Sequence, residues 1–443
     1  MIVLMLYLFF WSWLPSAHSL IFQYHDSVEI EKYLKGISST YPSITHLHSI
    51  GQSVEGRELW VLILGQHPRE HRRGIPEFKY VGNMHGNEVV GRVLLLQLID
   101  YLTSRYLTDP LVTRLLNSSR VHILPSMNPD GFESSKPDCM NTVGRYNKKG
   151  VDLNRNFPDA FDVNNNQERQ KEVKAIMNWL NTETFVLSAN LHGGAVVASY
   201  PYDNRGSGVQ EGSSVTPDND VFIHLAKTYS FNHTDMYKGN SCPGSNFPNG
   251  ITNGFQWYSL SGGMQDYNYV WAHCFEITLE ISCCKYPQES ELPALWEANK
   301  PALLAYMKQV HLGVKGVVMD SNGNLVQNAI IEVAGRTNLN PFKTDLNGEY
   351  YKLLMPGTYT FTVIYPGHKS TTETISVPYG PDTFSAVTQN FLLQKLDFSA
   401  LITQLPMATT TSVKKNPENN SASLLANAVT ALTALIIQRQ LLS

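Results

Sequence analysis

The hydrophobic pattern of the chain changes near residue 312, and this change restricts the folds that it can adopt. Before that point, apolar runs that predict buried strands alternate with two stretches of helical periodicity, from Glu88 to about Tyr106 and from about Glu168 to Leu180. The predicted strands lie at residues 78–84, 121–125, 185–191 and 274–281. Strands that alternate with helices favour an α/β sheet with helices on both faces.

After residue 312 the chain consists of short alternating runs such as VKGVVMD, NAIIEVAG and GTYTFTVIY, separated by Asn-Gly and Pro-Gly turns. This pattern predicts a small all-β sandwich. A Thr-, Ser-, Asn- and Pro-rich stretch follows, whose composition cannot bury a core and predicts a disordered stalk. The predicted boundaries are 1–19 for a signal peptide, 20–312 for the α/β domain, 313–398 for the sandwich, 399–423 for the stalk and 424–443 for an apolar tail.

Both ends of the chain predict export. Residues 1–19 are mostly apolar and end in Ala17-His18-Ser19, the small-residue pattern of a signal peptidase site, with an uncleaved anchor as the alternative. The apolar run at 424–437 is shorter than the roughly 20 residues of a spanning helix. A polar stretch before a short apolar tail is typical of a glycolipid (GPI) anchor signal, with a frayed tail as the alternative. The candidate attachment residues are Asn419, Asn420 and Ser421.

Composition excludes one class of partner and indicates an oxidising compartment. The formal net charge is −4 and the pI about 6.4, so the chain lacks the positive field that nucleic-acid binding needs. We interpret the local basic cluster of Arg69, His71, Arg72 and Arg73 as a solvated loop. After export, cysteines pair and an odd number leaves one over. The five cysteines are Cys139, Cys242, Cys274, Cys283 and Cys284, and the glycosylation sequons are Asn117, Asn232 and Asn419.

A candidate metal site lies where the first predicted strand ends. His85 and Glu88 are three residues apart between that strand and the following helix, so both side chains can face one ion. His192 ends another predicted strand, at the carboxyl edge of the sheet where α/β folds bind ligands. Two His and one Glu leave a fourth zinc position open for water, which is the catalytic arrangement. The alternative for the pair is an ordinary helix-start Glu beside a surface His.

A second polar motif, Asp152-Leu153-Asn154-Arg155-Asn156, falls in a predicted loop. A guanidinium beside amides suits a carboxylate ligand, although a structural ion pair between Asp152 and Arg155 explains the motif equally well. The strand at 274–281 carries Glu276 and Glu280, which share one face, so the pattern cannot choose between them as a functional acid.

The chain resembles the zinc metallocarboxypeptidases, in particular their carboxypeptidase N/E branch, over its whole mature length. The motifs that carry the resemblance are NMHGNE, PSMNPDGF, GRYN, VDLNRNFPDAF, SANLHGGA, YPYDN, GGMQDYNYVW and FEITLEISCCKYP. The resemblance implies a metallocarboxypeptidase fold with a mixed doubly wound sheet, followed by a transthyretin-like sandwich. It also implies one Zn²⁺ ion bound by His85, Glu88 and His192.

The remaining site residues are assigned by the same resemblance. Glu280 becomes the catalytic base and Arg145 the residue that polarises the scissile carbonyl, while Asp152 supports a zinc histidine. Glu276 is then structural. The substrate-binding residues implied are Asn154 and Arg155 for the terminal carboxylate, Tyr258 as a mobile cap, and Asp203 with Gln265 in the pocket for the departing side chain.

An acid in that pocket selects a cation, so the expected reaction removes C-terminal Arg or Lys from extracellular peptides and proteins. The resemblance further implies the disulfides Cys139–Cys284 and Cys242–Cys283, with Cys274 free. We expect a monomer at the outer face of the plasma membrane, anchored by glycolipid or otherwise secreted. The alternatives are a catalytically inactive peptide-binding relative and a zinc hydrolase of small acylated amino acids.

Overall fold

A computed structural model describes residues 20–162, 167–205 and 212–396. The predicted signal peptide, the stalk, the apolar tail and Asn419 lie outside the described residues. Across the described ranges, no helix is both long enough and apolar enough to cross a bilayer.

The α/β part of the described chain contains one eight-stranded mixed sheet. Its strands are β1 (Thr45–Gln52), β2 (Glu58–Leu64), β3 (Glu77–Gly82), β4 (Arg120–Leu124), β5 (Phe185–His192), β6 (Ala195–Tyr200), β7 (Ile251–Asn253) and β8 (Phe275–Ser282). They follow the spatial order β1-β2-β4-β3-β5-β8-β6-β7. The central strands β4, β3, β5 and β8 are parallel, whereas β1 and β2 pair antiparallel with their neighbours. Strand β6 is antiparallel to β8 and parallel to β7.

Helices cover both faces of this sheet, as the sequence predicted. They are α1 (Ser27–Thr40), α2 (Val90–Arg105), α3 (Pro110–Ser118), α4 (Pro129–Ser134), α5 (Lys171–Thr182), α6 (Asn219–Asn232), α7 (Gly254–Trp257), α8 (Met264–Ala272) and α9 (Leu292–Lys308). Alternate residues of a strand point to opposite faces. In β3, Phe78 and Tyr80 join the core formed with α2, α6 and α9, whereas Val81 joins the core formed with α5 and α8.

The predicted elements agree with the structure to within a few residues. The predicted helix start at Glu88 is early, because α2 begins at Val90 and Glu88 belongs to the preceding loop. The candidate ligand Glu88 therefore lies in the loop between β3 and α2.

The chain after residue 312 forms the predicted β-sandwich. Its strands are β9 (Val314–Asp320), β10 (Ile330–Val333), β11 (Glu349–Lys352), β12 (Gly357–Ile364), β13 (His368–Lys369), β14 (Thr371–Val377), β15 (Val387–Thr388) and β16 (Phe391–Lys395). One sheet has the order β10-β12-β14, and the other the order β11-β9-β16-β13 with β15 paired to β9. Alternate residues of both sheets meet in a separate apolar core that includes Val318, Phe361 and Phe391.

The sandwich packs against the α/β part through a buried charge network that corrects one prediction. His71, interpreted from the sequence as part of a solvated loop, lies between two carboxylates: Nδ1 is 2.7 Å from Glu77 and Nε2 is 2.6 Å from Glu349 of β11. Both glutamates are almost fully buried. Burial alone would lower the pKa of His71, but the hydrogen bonds to Glu349 and Glu77 outweigh it and raise the pKa to about 10. The prediction was wrong because Glu349 lies far along the chain.

Two disulfides join the end of β8 to separate loops. Cys284 is bonded to Cys139 and Cys283 to Cys242, the pairing that the family resemblance implies. Cys274 is free and fully buried just before β8. The adjacent cysteines therefore fix two loops beside the carboxyl end of one central strand.

Candidate metal centre and active site

The loop after β3 is shaped by Asn83, a buried residue with a positive φ of 56°. Its side-chain amide donates to the carbonyl oxygens of His85 and Gly86, each at 3.0 Å, which turns the loop back on itself. Gly86 is required there because an added Cβ would lie 2.2 Å from the backbone carbon of Gly131. The Asn83 side chain therefore holds the loop from within, and the Gly131 backbone packs against it from outside. His85 and Glu88 lie on one side of this loop.

Three donor atoms from different segments converge at this point. Glu88 Oε2 lies 3.0 Å from His85 Nδ1 and 2.8 Å from His192 Nδ1, and the two ring nitrogens are 3.1 Å apart. A tetrahedral zinc ion with bonds of about 2.0–2.1 Å holds its ligand atoms roughly 3.3 Å apart, so the observed triangle fits that ion. All three side chains are buried. Although burial opposes it, the neighbouring His85 and His192 hold the pKa of Glu88 well below its usual value, as a metal ligand requires.

The second nitrogen of His85 is occupied by Asp152, whose Oδ1 lies 3.0 Å from Nε2. This contact fixes the ring orientation and leaves Nδ1 for the metal, the usual arrangement around zinc histidines. Burial opposes ionisation of Asp152, but the hydrogen bond from His85 and the charges of Arg145 and Arg155 hold its pKa below the usual range. Arg145 itself donates to Asp152 from Nη2 at 2.9 Å and to Glu88 from Nη1 at 3.3 Å.

Glu280 reaches the same cavity because of the sheet register. In the parallel pair of β5 and β8, Glu280 lies directly beside His192. Its side chain is 8% exposed, and Oε2 has no hydrogen-bond partner within the described parts of the chain. Burial first and the Glu88 carboxylate second raise the pKa of Glu280 well above its usual value. A carboxyl group with a raised pKa is a stronger proton acceptor than an exposed Glu, as a general base requires.

Glu276, four residues earlier on the same face, has a different environment. It is fully buried and accepts hydrogen bonds from Lys79 at 2.9 Å and from Asn190 at 2.9 Å. Both carboxylate oxygens of Glu276 therefore accept hydrogen bonds from buried side chains. The structure thus distinguishes Glu276 from Glu280, which the strand pattern could not do.

Of the two predicted carboxylate-binding residues, Asn154 borders the cavity and Arg155 is not among its lining residues, whereas the predicted cap, Tyr258, borders it from another loop. Asn154 lines it, and because its Oδ1 accepts from the Met264 backbone at 2.9 Å, its amide nitrogen is the group left for a ligand. Arg155 donates to the Asn154 carbonyl at 2.9 Å. Tyr258 follows α7 directly, lines the cavity and is 45% exposed, so its ring has room to move.

Asp203 lies at the cavity wall and is 5% exposed. Gln265 donates to its Oδ1 at 3.0 Å, while Gln265 Oε1 is buried and makes no hydrogen bond to the described residues. The backbone N–H of Asp203 donates to Asp266 at 2.9 Å. Burial raises the pKa of Asp203 and also that of Asp266, where the neighbouring Asp203 charge adds to the effect. The wall therefore carries an acid that forms no ion pair with another described residue, and the buried amide of Gln265 lies beside it.

Sequence reasoning missed several residues of the cavity, of which Lys285 and Trp257 have the largest side chains. Lys285, just after the adjacent cysteines, places Nζ 3.0 Å from Glu88 Oε1 and lines the cavity with Trp257. The motif that contains Lys285 was recognised, but nothing in the order of residues indicates that its side chain turns toward Glu88. Trp257 adjoins Tyr258 in sequence and packs against its ring, with the ring centres 4.9 Å apart.

A second group of possible metal ligands within the described residues is Glu77, His122 and Glu183. Arg120 lies among them and donates to Glu77 at 3.0 Å and to Glu183 at 2.8 Å. A guanidinium already supplies the positive charge there, so we interpret this group as a structural ion-pair network.

Comparisons with known proteins place this chain in a family. Residues 30–302 match the zinc carboxypeptidase family model and residues 313–391 match the carboxypeptidase regulatory-like domain. The chain is 58% identical to carboxypeptidase M of Mus musculus over 384 residues, which cover 86% of each protein. It is 45% identical to the carboxypeptidase N catalytic chain of Homo sapiens over 390 residues, covering 81% of this chain and 84% of that one.

The solved structures show the same fold at a greater distance. The crystal structure of thrombin activatable fibrinolysis inhibitor aligns with a TM-score of 0.53 at 20% identity, covering 65% of this chain and 74% of that chain. At this identity the likeness concerns the fold alone. With the donor triangle, the matching family model and relatives of high coverage, the chain belongs to the zinc carboxypeptidase family, and zinc is the cofactor of its site.

Proposed function

We propose that this chain is an exopeptidase that releases C-terminal Arg or Lys from extracellular peptides and proteins. The observation that carries the proposal is Asp203, a buried acid in the cavity wall that has Gln265 beside it and forms no ion pair with another described residue. A carboxylate in a desolvated pocket binds a cationic side chain strongly and disfavours an apolar one. The free Oε1 of Gln265 offers a second acceptor to the N–H groups of a guanidinium or an ammonium.

The residues around the metal site have separate roles in the proposed hydrolysis. A zinc ion bound by His85, Glu88 and His192 supplies an activated water and a Lewis acid for the scissile carbonyl. Glu280 takes the proton from the attacking water at Oε2 and returns it to the leaving amine. Arg145, on the same side of the cavity as Glu88, supplies positive charge where the carbonyl oxygen becomes negative.

Two further groups make the cavity specific for the end of a chain. Asn154 and Arg155 bind the terminal carboxylate, which fixes the register of the substrate so that only the last peptide bond meets the base. Tyr258 closes over the bound residue and excludes water, which its exposed position beside the cavity allows.

The pocket acid predicts a pH dependence of binding. Burial raises the pKa of Asp203, so the free carboxyl ionises at a higher pH than an exposed Asp. Only the ionised form pairs with a basic side chain. The KM for a peptide ending in Arg should therefore fall as pH rises toward neutrality, whereas the KM for a peptide ending in Phe should not follow this change.

The test compares kcat/KM for two peptides that differ only in a final Arg or Phe, using the zinc-loaded enzyme and its Asp203→Asn variant. Truncating one partner of a buried charge pair costs about 2–5 kcal/mol, so the variant should lose roughly 30-fold to 5,000-fold on the Arg peptide. Its activity on the Phe peptide should stay equal or rise. Asp162→Asn, a change in a loop near the cavity at a residue that does not line it, is the matched control. A wild-type enzyme that prefers Phe would contradict the proposal.

We place this activity at the outer face of the plasma membrane, with the chain held by a glycolipid anchor. The support is the polar stretch and short apolar tail of the sequence, together with exposed side chains at the sequons Asn117 and Asn232. Phosphatidylinositol-specific phospholipase C should release the enzyme from intact cells. Activity that stays with the cells after complete digestion would exclude the anchor.

A further inference from the structure

Asp218, the residue before α6, is a point where the β-sandwich meets the α/β part. Its side chain is fully buried. Oδ2 accepts hydrogen bonds from the Tyr269 hydroxyl at 2.7 Å and from Lys352 Nζ at 2.6 Å, while Oδ1 accepts from Arg336 Nη1 at 3.0 Å. Lys352 and Arg336 belong to the sandwich, and Tyr269 belongs to α8. One carboxylate therefore joins both parts of the molecule.

Arg336 makes a more extensive contact than Lys352. Besides Asp218 it contacts both carboxylate oxygens of Asp220, each at 2.7 Å, and it donates to the Pro217 carbonyl at 3.3 Å. The planar fork of a guanidinium can satisfy several acceptors at once, which an ammonium group cannot do with the same geometry. Arg336 thus fixes the segment that leads into α6 as well as the Asp218 side chain.

Helix α8 connects this point to the Asp203 pocket. Its first turn carries Gln265, which donates to Asp203 Oδ1, and Asp266, which accepts from the Asp203 backbone. Tyr269, one turn later, contacts Asp218 and also packs against Tyr202 with ring centres 5.9 Å apart. A rotation of α8 at Tyr269 would displace the two groups that orient the Asp203 carboxylate.

The segment at 212–218 provides a second connection. The Ser214 carbonyl accepts from the Tyr202 backbone at 2.9 Å, and the Ser214 hydroxyl donates to the Asn204 carbonyl at 2.9 Å. These bonds lie on either side of Asp203 in sequence. The same segment runs on directly to Asp218, so the contacts of Arg336 and Lys352 limit its movement at the other end.

From this geometry we infer that Arg336 and Lys352 of the sandwich are positioning residues for the Asp203 pocket. They act through Asp218, Tyr269 and the 212–218 segment, and they do not need to touch the substrate. The inference rests on the proposed preference for basic C-terminal residues. It adds that contacts made by the sandwich fix the position of Asp203, the acid that selects the substrate.

The sandwich also provides a matched control. Lys315 Nζ donates to the Gly74 carbonyl at 2.8 Å and so joins the two parts of the molecule at a different place. Gly74 lies in the loop before β3, which makes none of the pocket contacts described above. Lys315→Met therefore removes one contact between the sandwich and the α/β part and leaves the connection to Asp203 intact.

The experiment measures KM and kcat for the Arg and Phe peptides with the zinc-loaded full chain. Arg336→Met and Lys352→Met should each raise the KM for the Arg peptide roughly threefold to tenfold, with kcat within twofold and kcat/KM for the Phe peptide unchanged. Arg336→Lys should recover part of the loss. Lys315→Met should lower the melting temperature without changing the preference between the two peptides.

Two results would overturn the inference. In the first, Arg336→Met lowers stability but keeps the wild-type KM for the Arg peptide. In the second, both peptides lose activity equally, which indicates a smaller fraction of folded enzyme. A wild-type chain without preference for Arg over Phe would instead refute the proposed function, so the two failures are distinguishable. Zinc content, measured for each variant, separates loss of the metal from movement of the pocket.

Discussion

Replacing His71 by Gln should make the stability of the protein less dependent on pH. The imidazolium contacts two carboxylates, Glu77 at 2.7 Å and Glu349 at 2.6 Å, each at most 2% exposed. A hydrogen bond between charged groups contributes about 1.5–3 kcal/mol, so the two together stabilise the fold by roughly 3–6 kcal/mol at neutral pH. Both carboxylates keep other partners, such as Arg120 for Glu77 and the Gly74 N–H for Glu349, which limits the loss.

The sign of the pH effect follows from the raised pKa of His71, about 10 in the folded chain against the usual value of 6.5. The folded state holds this proton more tightly than the unfolded state. The stabilisation is therefore complete below about pH 6.5 and is lost as pH rises toward 10, with a maximum slope of about 1.4 kcal/mol per pH unit. The difference in unfolding free energy between wild type and His71→Gln should shrink over this window.

Chemical denaturation of the zinc-loaded protein at pH 6, 7.5 and 9 measures that difference. Arg72→Gln is the control, because Arg72 lies in the same loop, is exposed and pairs with the exposed Glu70. Its effect should remain within about 0.5 kcal/mol at each pH. A gap between wild type and His71→Gln that is below about 1 kcal/mol, or that stays constant from pH 6 to pH 9, would refute the reasoning.

Three further substitutions test the active site. Glu280→Gln should retain zinc but lower kcat about 10²-fold to 10⁴-fold because the proton acceptor is removed, and near-normal turnover in a variant with full zinc content would disprove the role. Asp152→Asn should weaken zinc binding about 10-fold to 100-fold in a chelator competition, since His85 loses its charged partner, and unchanged affinity would count against it. Gly86→Ala should abolish zinc binding and lower the melting temperature, because the new Cβ would meet the Gly131 backbone at 2.2 Å, and a stable variant with intact zinc content would show that the loop can yield.

Local sequence information was sufficient for the framework of this molecule. Hydrophobic periodicity located the central strands, and the ends of two of them placed His85 and His192 at one edge of the sheet. It could not separate Glu276 from Glu280, because a strand gives both residues the same direction. Their difference comes from Lys79 on β3, which lies on the far side of β5 from β8: Lys79 hydrogen-bonds to Glu276, whereas Glu280 Oε2 has no partner among the described residues and is left to the cavity.

The roles of His71 and Lys285 could not be predicted, because each side chain contacts a carboxylate that is distant in sequence. His71 appeared to be a solvated basic residue because its second carboxylate, Glu349, belongs to the sandwich. Lys285 had no predicted role because its contact with Glu88 requires the turn after β8. In both cases the residue type was visible, but the charge that it meets is fixed only by the packing of separate elements.

The two disulfides of Cys283 and Cys284, just after β8, make the structure of the cavity entrance depend on whether the surroundings are oxidising or reducing. Cys284 holds the loop that leads to Arg145, and Cys283 holds the segment of Cys242, from which Phe247 packs on Trp257 beside the cap. Neither bond includes a zinc ligand. Reducing both bonds would therefore untether the two sides of the entrance without removing any of the candidate zinc ligands. The entrance is tethered on both sides only in an oxidising compartment, where disulfides form and persist.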